Sequence, residues 1–411
     1  MKTIYQLLLL LFVGLFVITG CNKGGEEEEI IPQYLVDFER HAPAIPLTAQ
    51  NINGMIQAVS AEFPDIDISS LTAKVKYNVE VHKIVYKTLF EGDTIMASGI
   101  VATPVQQNKN DVFPVMSYQH GTIFRKAEAP SVNISQELMT YMASTGMVVV
   151  IPDYIGFGAS AAEFHPYMHN EYTVNAVLDM IRASKEFVKT EKPCNINNKL
   201  FLFGYSQGGS ATVGALSAIE NDNNNSDLTV TAAAAGAGAY DLAQLRRWIM
   251  LQQRYDKPSY IVYLIESFSR YAGVSNGFDN VFAPQFAENL SGMIDGATPE
   301  QTINESFGTF HVGSLFNFEF RDNDTFETAP EFESLRNAFT ENKISGWANE
   351  TDLIIYSGTE DSWVPLEQST RLHLEFQQQG GKSEIIRHTG QDHIGSFIPS
   401  VMHAIDFFLS K

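Results

Sequence analysis

The pentapeptide Gly204-Tyr205-Ser206-Gln207-Gly208 constrains this chain more than any other stretch. An apolar, strand-forming run at 200–203 leads into it, and an alanine-rich helical segment leads out. In a strand–turn–helix context, G-x-S-x-G marks a nucleophile elbow. The turn forces the serine into a strained backbone conformation and raises its hydroxyl above the sheet edge. Side chains two residues before and two after would collide there, so Gly204 and Gly208 are small for a steric reason. The same turn leaves the N–H of Gln207 at a helix start, aimed where an oxyanion would form. Ser206 is therefore the candidate nucleophile.

The rest of the chain supplies a sheet for that elbow. Alternation at 75–89 and at 94–103, around Glu91-Gly92-Asp93, predicts a hairpin. A short buried strand at 113–118 ends in Gln119-His120-Gly121-Thr122. A helix is expected at 136–144, ended by Gly146, and then a continuous apolar strand at 147–151. Apolar positions between Val174 and Val188 mark one helix face. After the elbow, 228–240 holds a strand of small side chains, 353–356 another, 366–379 a helix and 384–387 the last strand. A final amphipathic helix covers 397–409, with Pro399 near its start. This alternation predicts an α/β fold, a mostly parallel central sheet with helices on both faces. Ligands bind such sheets at the carboxyl ends of the strands, where Ser206 would sit.

One span breaks the rhythm. Residues 243–350 show no clean strand pattern, begin helically at 245–270, and hold 18 Phe, Tyr and Trp. This predicts a largely helical cap inserted between two core strands. Its aromatics, Trp248, Tyr260, Phe268, Phe316 and Trp347 among them, would line an apolar binding surface or form the cap's own core. The expected organisation is a leader at 1–20, an acidic tether at 21–45, core at 46–242, cap at 243–350 and core at 351–411.

The leader has Lys2 as its basic region and an apolar run at 7–18, short for a spanning helix. Ile18-Thr19-Gly20-Cys21 resembles the lipobox of bacterial lipoproteins, which implies diacylation of Cys21 and a lipid anchor in a bacterial membrane. Lys23 and Glu26, Glu27, Glu28 and Glu29 then form a solvated segment. It is either a plain spacer or, by resemblance, the surface-export signal of Bacteroidota lipoproteins; the anchor is expected in the outer membrane, with the protein exposed at the cell surface if the segment is that signal. With Cys21 acylated, Cys194 has no partner for an intramolecular disulfide. The formal charge of −21 argues against nucleic acid, whose affinity comes from Lys and Arg neutralising phosphates. Oligomeric state is left open by the sequence.

A serine nucleophile needs a base, and the base needs an orienter. The acid is expected in the loop after the 353–356 strand, where Asp361 is the choice and Glu360 the neighbour it could be confused with. The base is expected after the last strand, where His393 fits a flexible turn. His388 at the strand end and His403 within a helix fit less well. The second oxyanion donor is expected at Thr122, with His120 structural. His165 and His169 lie four apart, but Pro166 and the missing glutamate of H-E-x-x-H argue for a loop over zinc. No metal or other cofactor is called for.

Five pieces, in order, carry a resemblance: Tyr118-Gln119-His120-Gly121-Thr122, then 152–158 (PDYIGFG), Gly-Tyr-Ser-Gln-Gly-Gly, Gly358-x-x-Asp361-x-x-Val364-Pro365, and Gly390-x-x-His393. The chain resembles α/β-hydrolases, and more narrowly the secretory lipase and esterase relatives, over about 75–410. The resemblance implies the α/β-hydrolase fold and a Ser206-Asp361-His393 triad. Gln207 and Thr122 would form the oxyanion hole, and a small-molecule carboxylic ester would be the substrate. Two other readings stay open. A serine exopeptidase could hold a substrate amine on cap acids such as Glu266 or Glu288. A non-catalytic surface lipoprotein could bind glycan or lipid.

Overall fold

The computed structural model describes residues 33–60 and 67–411. The leader, Cys21 and the glutamate run lie outside the described residues.

Nine strands form one sheet in the order β1-β2-β3-β5-β4-β6-β7-β8-β9. They are β1 (Leu35–His41), β2 (Val79–Phe90), β3 (Asp93–Pro104), β4 (Val112–Gln119), β5 (Val148–Pro152), β6 (Asn195–Tyr205), β7 (Ala232–Gly236), β8 (Asp352–Gly358) and β9 (Ser383–His388). Strands β4 to β9 pair in parallel, and β1, β2 and β3 extend the sheet antiparallel through β5. The expected hairpin is β2–β3, in register from Val79 opposite Pro104 to Phe90 opposite Asp93. Glu91 and Gly92 both take positive φ, 51° and 85°, which suits a two-residue turn to the twist of its strands.

Period-two alternation in the central strands fills a core on each face. Val148, Val150, Leu200 and Leu202 face one cluster, covered by the helices Asn170–Glu191, Gln207–Asn221 and Leu366–Gln378. Val149, Ile151, Phe201 and Phe203 face the other, covered by the helices Ala49–Ser60 and Phe397–Leu409. Strand β7 is Ala-Ala-Ala-Ala-Gly and wholly buried. Small residues there make room for the elbow: a Cβ on Gly236 would come 2.3 Å from the Tyr205 ring, and one on Gly209 of the elbow helix 2.4 Å from Gly236 O.

Two expectations change, and one left open is resolved. The stretch read as tether, 21–45, contains the paired edge strand β1. Its backbone is held by the ladder to β2 and by Glu186, whose carboxylate accepts the N–H groups of Gln33, Tyr34 and Leu35. The helix expected at 136–144 is instead 3₁₀, at Ile134–Gln136 and Leu138–Thr145. Hydroxyls explain the tighter winding: Thr140, Ser144 and Thr145 each donate to the carbonyl three residues back.

The open one concerns the cap. Short helices run from Leu242–Met250 to Glu333–Glu341 between β7 and β8. Most of their aromatics, Phe268 and Phe316 included, pack into a separate core of their own. Trp347 belongs to the main core, against Phe376. Of the five aromatics singled out in the sequence, Tyr260 alone lines the pocket at Ser206.

Candidate active site

The parallel strands end together. Gln119 of β4 pairs with Gly204, Tyr205 with Gly236, Gly236 with Tyr356, and Gly358 with His388. The loops leaving β4, β6, β8 and β9 therefore emerge along one edge.

Ser206 sits between β6 and its helix with φ 60° and ψ −125°, a region that only glycine occupies without strain. Two hydrogen bonds help hold it. Its N–H donates to Gly236 O at 2.8 Å, and its carbonyl accepts from Gly209 N at 2.9 Å. Both motif glycines are sterically obligatory. A Cβ on Gly204 would fall inside the carbonyl of Gly208, and one on Gly208 inside the carbonyl of Gln119. The expected contact of the two positions is thus direct for Gly204, while Gly208 is pressed against β4.

His393 lies in the loop after β9, with Nε2 3.0 Å from Ser206 Oγ. Its Nδ1 donates to Asp361 Oδ2 at 2.6 Å. A carboxylate oxygen only accepts here, so Nδ1 carries the hydrogen and Nε2 offers its lone pair to the serine hydroxyl. Asp361 is buried, and its Oδ1 accepts the N–H groups of Trp363 and Val364, each at 2.9 Å. Glu360 is exposed. His388 bonds Ser400, and His403 bonds Tyr356, so neither takes part.

Three supports escaped the sequence. The Tyr205 hydroxyl donates to His393 O at 2.7 Å. The Trp363 ring packs on the His393 imidazole with centroids 4.8 Å apart. From the cap, Lys257 Nζ stands 3.7 Å from the centre of that Trp ring while paired to Glu300 at 2.7 Å. Tyr205 carried a signal, since the residue before the candidate nucleophile ends a strand. The Trp363 contact is tertiary and left none.

Gln207 begins the elbow helix, so its N–H is one of the four that no intrahelical carbonyl satisfies. The His120–Thr122 segment lies beside it: a Cβ on Gly121 would be 3.6 Å from Ser206 Cβ. Thr122 Oγ1 bonds the Tyr167 hydroxyl at 3.1 Å. His120 is buried with Nδ1 2.7 Å from Gly121 O, and burial holds its imidazole below the ordinary histidine value. His165 and His169 diverge. His165 points at Ile155 O and Gln207, while His169 stacks on Tyr172.

Ser206 and Gln207 open into a small pocket walled by apolar and aromatic side chains such as Met168, Leu245, Tyr255, Ile261, Leu264 and Trp363. Among the described residues, no Asp, Glu, Lys or Arg lines it. Glu266 is tied to Arg270 at 2.6 Å, and Glu288 is exposed.

Comparison with known proteins agrees with this architecture. A Legionella pneumophila protein superposes with a TM-score of 0.80 at 24% identity, over 92% of this chain and 98% of that one. The rice cell wall degrading esterase LipA of Xanthomonas oryzae gives 0.75 at 21% identity, over 92% and 96%. Candida antarctica lipase A in its closed state gives 0.61 at 17%, over 91% and 82%. At such identities the likeness is one of fold, the α/β-hydrolase fold. No curated protein is significantly similar in sequence. Residues 124–409, however, match the model of the secretory lipase family. The chain is a carboxylic-ester hydrolase and belongs to the secretory lipase family.

Proposed function

We propose that Ser206, His393 and Asp361 hydrolyse the ester by two-step acyl transfer. One observation carries the reading: a continuous hydrogen-bonded line from Ser206 Oγ through the imidazole to a buried carboxylate, at 3.0 and 2.6 Å. His393 Nε2 takes the hydroxyl proton as Oγ attacks the carbonyl carbon, and Asp361 steadies the imidazolium. The N–H groups of Gln207 and Thr122 stabilise the oxyanion. The imidazolium returns its proton to the leaving alkoxide, and the alcohol departs. Water, deprotonated by His393, then attacks the acyl-enzyme and frees the acid and the serine.

The walls of the pocket favour a neutral ester whose acyl group is short, medium or aromatic. Each buried methylene adds about 0.8 kcal/mol until the pocket is full. An exopeptidase would need a carboxylate near the serine for the substrate amine, and the acids considered for it, Glu266 and Glu288, stand apart. Ester hydrolysis is therefore the better reading. The test is kcat/KM across p-nitrophenyl esters from acetate to palmitate, beside aminoacyl-nitroanilides. A maximum near butyrate to octanoate is expected. A continued rise to palmitate, or anilide cleavage without ester preference, would overturn it.

We also propose that the enzyme works lipid-anchored through Cys21 to a bacterial outer membrane. The support is the apolar run ending in Ile18-Thr19-Gly20-Cys21 and the glutamate run after it. Cys21→Ser should abolish fatty-acid labelling and release active enzyme. Unchanged labelling would place the anchor elsewhere.

A further inference from the structure

His165 is a buried imidazole that the proposed chemistry does not use, and its neighbours define its protonation. Nδ1 lies 2.7 Å from Ile155 O, and Nε2 lies 2.8 Å from Gln207 Nε2. A carbonyl only accepts, so Nδ1 carries the hydrogen. Nε2 is then a lone pair and must accept from the Gln207 amide. Burial keeps the ring neutral, with its value pushed down to about 3. This tautomer therefore persists across any working pH.

The ring is held from several sides. Phe157, Tyr167 and the cap's Tyr263 surround it, with ring centroids 4.9, 6.1 and 5.7 Å away. The loop that carries it is also fixed. Its first residue, Asp153, is fully buried and accepts from the hydroxyls of Ser98 and Ser131 and from Ser131 N. At Gly156 φ is +93°, and a Cβ there would meet His165 Cα at 2.5 Å, so only glycine lets the loop fold back onto the histidine.

We propose that His165 is a positioning residue for the oxyanion hole. It grips the side chain of Gln207 and so fixes the direction of the Gln207 backbone N–H beside Ser206. This rests on the reading of Gln207 as an oxyanion donor. Gln207 sits at the first position of its helix, where few intrahelical bonds restrain the backbone. Its side chain, on a residue only 5% exposed, is a second anchor for the same Cα. Removing an oxyanion donor costs about 10² to 10³ in kcat, and displacing one costs part of that.

The test cuts the bond from either end and restores it. His165→Leu and Gln207→Met should each lower kcat by about 10- to 100-fold per active site titrated with a fluorophosphonate, with KM changed less than about threefold. Inhibition by a trifluoromethyl ketone, which forms an oxyanion on the serine, should weaken in step. The pH profile should fall uniformly without shifting. Combining the two substitutions should cost little beyond either alone. His165→Gln can both donate to Ile155 O and accept from Gln207, and should recover most of the loss. A merely structural role would lower the titrated fraction and the stability while kcat per titrated site stayed within about twofold. That result, in His165→Leu or, should it fail to fold, in Gln207→Met, overturns the proposal. A wild-type enzyme that the fluorophosphonate does not modify at Ser206 overturns the underlying reading as well.

Discussion

Replacing Asp361 by Asn changes one atom and should disable the site without unfolding it. Asn keeps an oxygen to accept the N–H groups of Trp363 and Val364, which Asp361 Oδ1 accepts at 2.9 Å each. Its NH₂ then replaces Oδ2 at 2.6 Å from His393 Nδ1. Two donors cannot face each other at that distance. The imidazole escapes by moving its hydrogen to Nε2, which can then no longer take the proton of Ser206. The analogous loss of the right tautomer costs about 10⁴ in kcat, or about 5.5 kcal/mol at 1.36 kcal/mol per decade. Stability should fall by only about 1–3 kcal/mol, for the lost charge-assisted bond. The assay is kcat on p-nitrophenyl butyrate together with urea unfolding, and Glu360→Gln serves as the exposed control. An Asp361→Asn enzyme within tenfold of wild type would refute the assignment. So would a larger loss from Glu360→Gln.

Other expectations follow from single contacts. Gly208→Ala puts a Cβ 2.5 Å from the carbonyl carbon of Gln119 and 2.8 Å from His120 O, both backbone atoms. It should destabilise by about 3 kcal/mol or more, beyond the usual range for overpacking, and a wild-type urea midpoint would contradict the close approach. Ser206→Gly should be inactive and more stable by about 1 kcal/mol, since glycine relieves φ 60° and ψ −125°; equal or lower stability would show that the elbow is unstrained. Burial lowers the folded His165 value to about 3. The unfolded chain therefore binds a proton that the folded chain does not, at pH values between about 6.5 and about 3. Stability falls as pH drops through that window, by up to about 1.4 kcal/mol per unit from this residue. His165→Gln should remove about one proton from the stability slope between about pH 4 and pH 6, and an unchanged slope would contradict the neutral buried ring.

The elbow was legible because sterics leave the sequence little choice. Gly204 and Gly208 each face a backbone carbonyl that no side chain could clear. The hydrogen-bonded line from Ser206 through His393 to Asp361 follows the expected chain order, but Glu360 and Asp361 could not be separated by order alone. The turn separates them. Asp361 reaches the N–H groups two and three residues ahead, a short-range closure that the longer glutamate side chain does not suit. Strand β1 hid in a charged segment because backbone bonds hold it there, and most of its side chains are exposed. The aromatic richness of the cap fitted a binding wall or a core, and helices of four to fourteen residues use most of those rings for a core. His165 carried a spacing that suggested metal, while its role depends on a glutamine 42 residues away.

The most direct test of the account is where a fluorophosphonate lands. Wild-type enzyme is inactivated with the reagent, its intact mass is measured, and the adduct is mapped by peptide sequencing. The expected result is one adduct per chain, on Ser206, accumulating in step with the loss of esterase activity. An adduct on another residue, or full ester hydrolysis by enzyme modified at Ser206, would contradict the claim that this serine is the nucleophile.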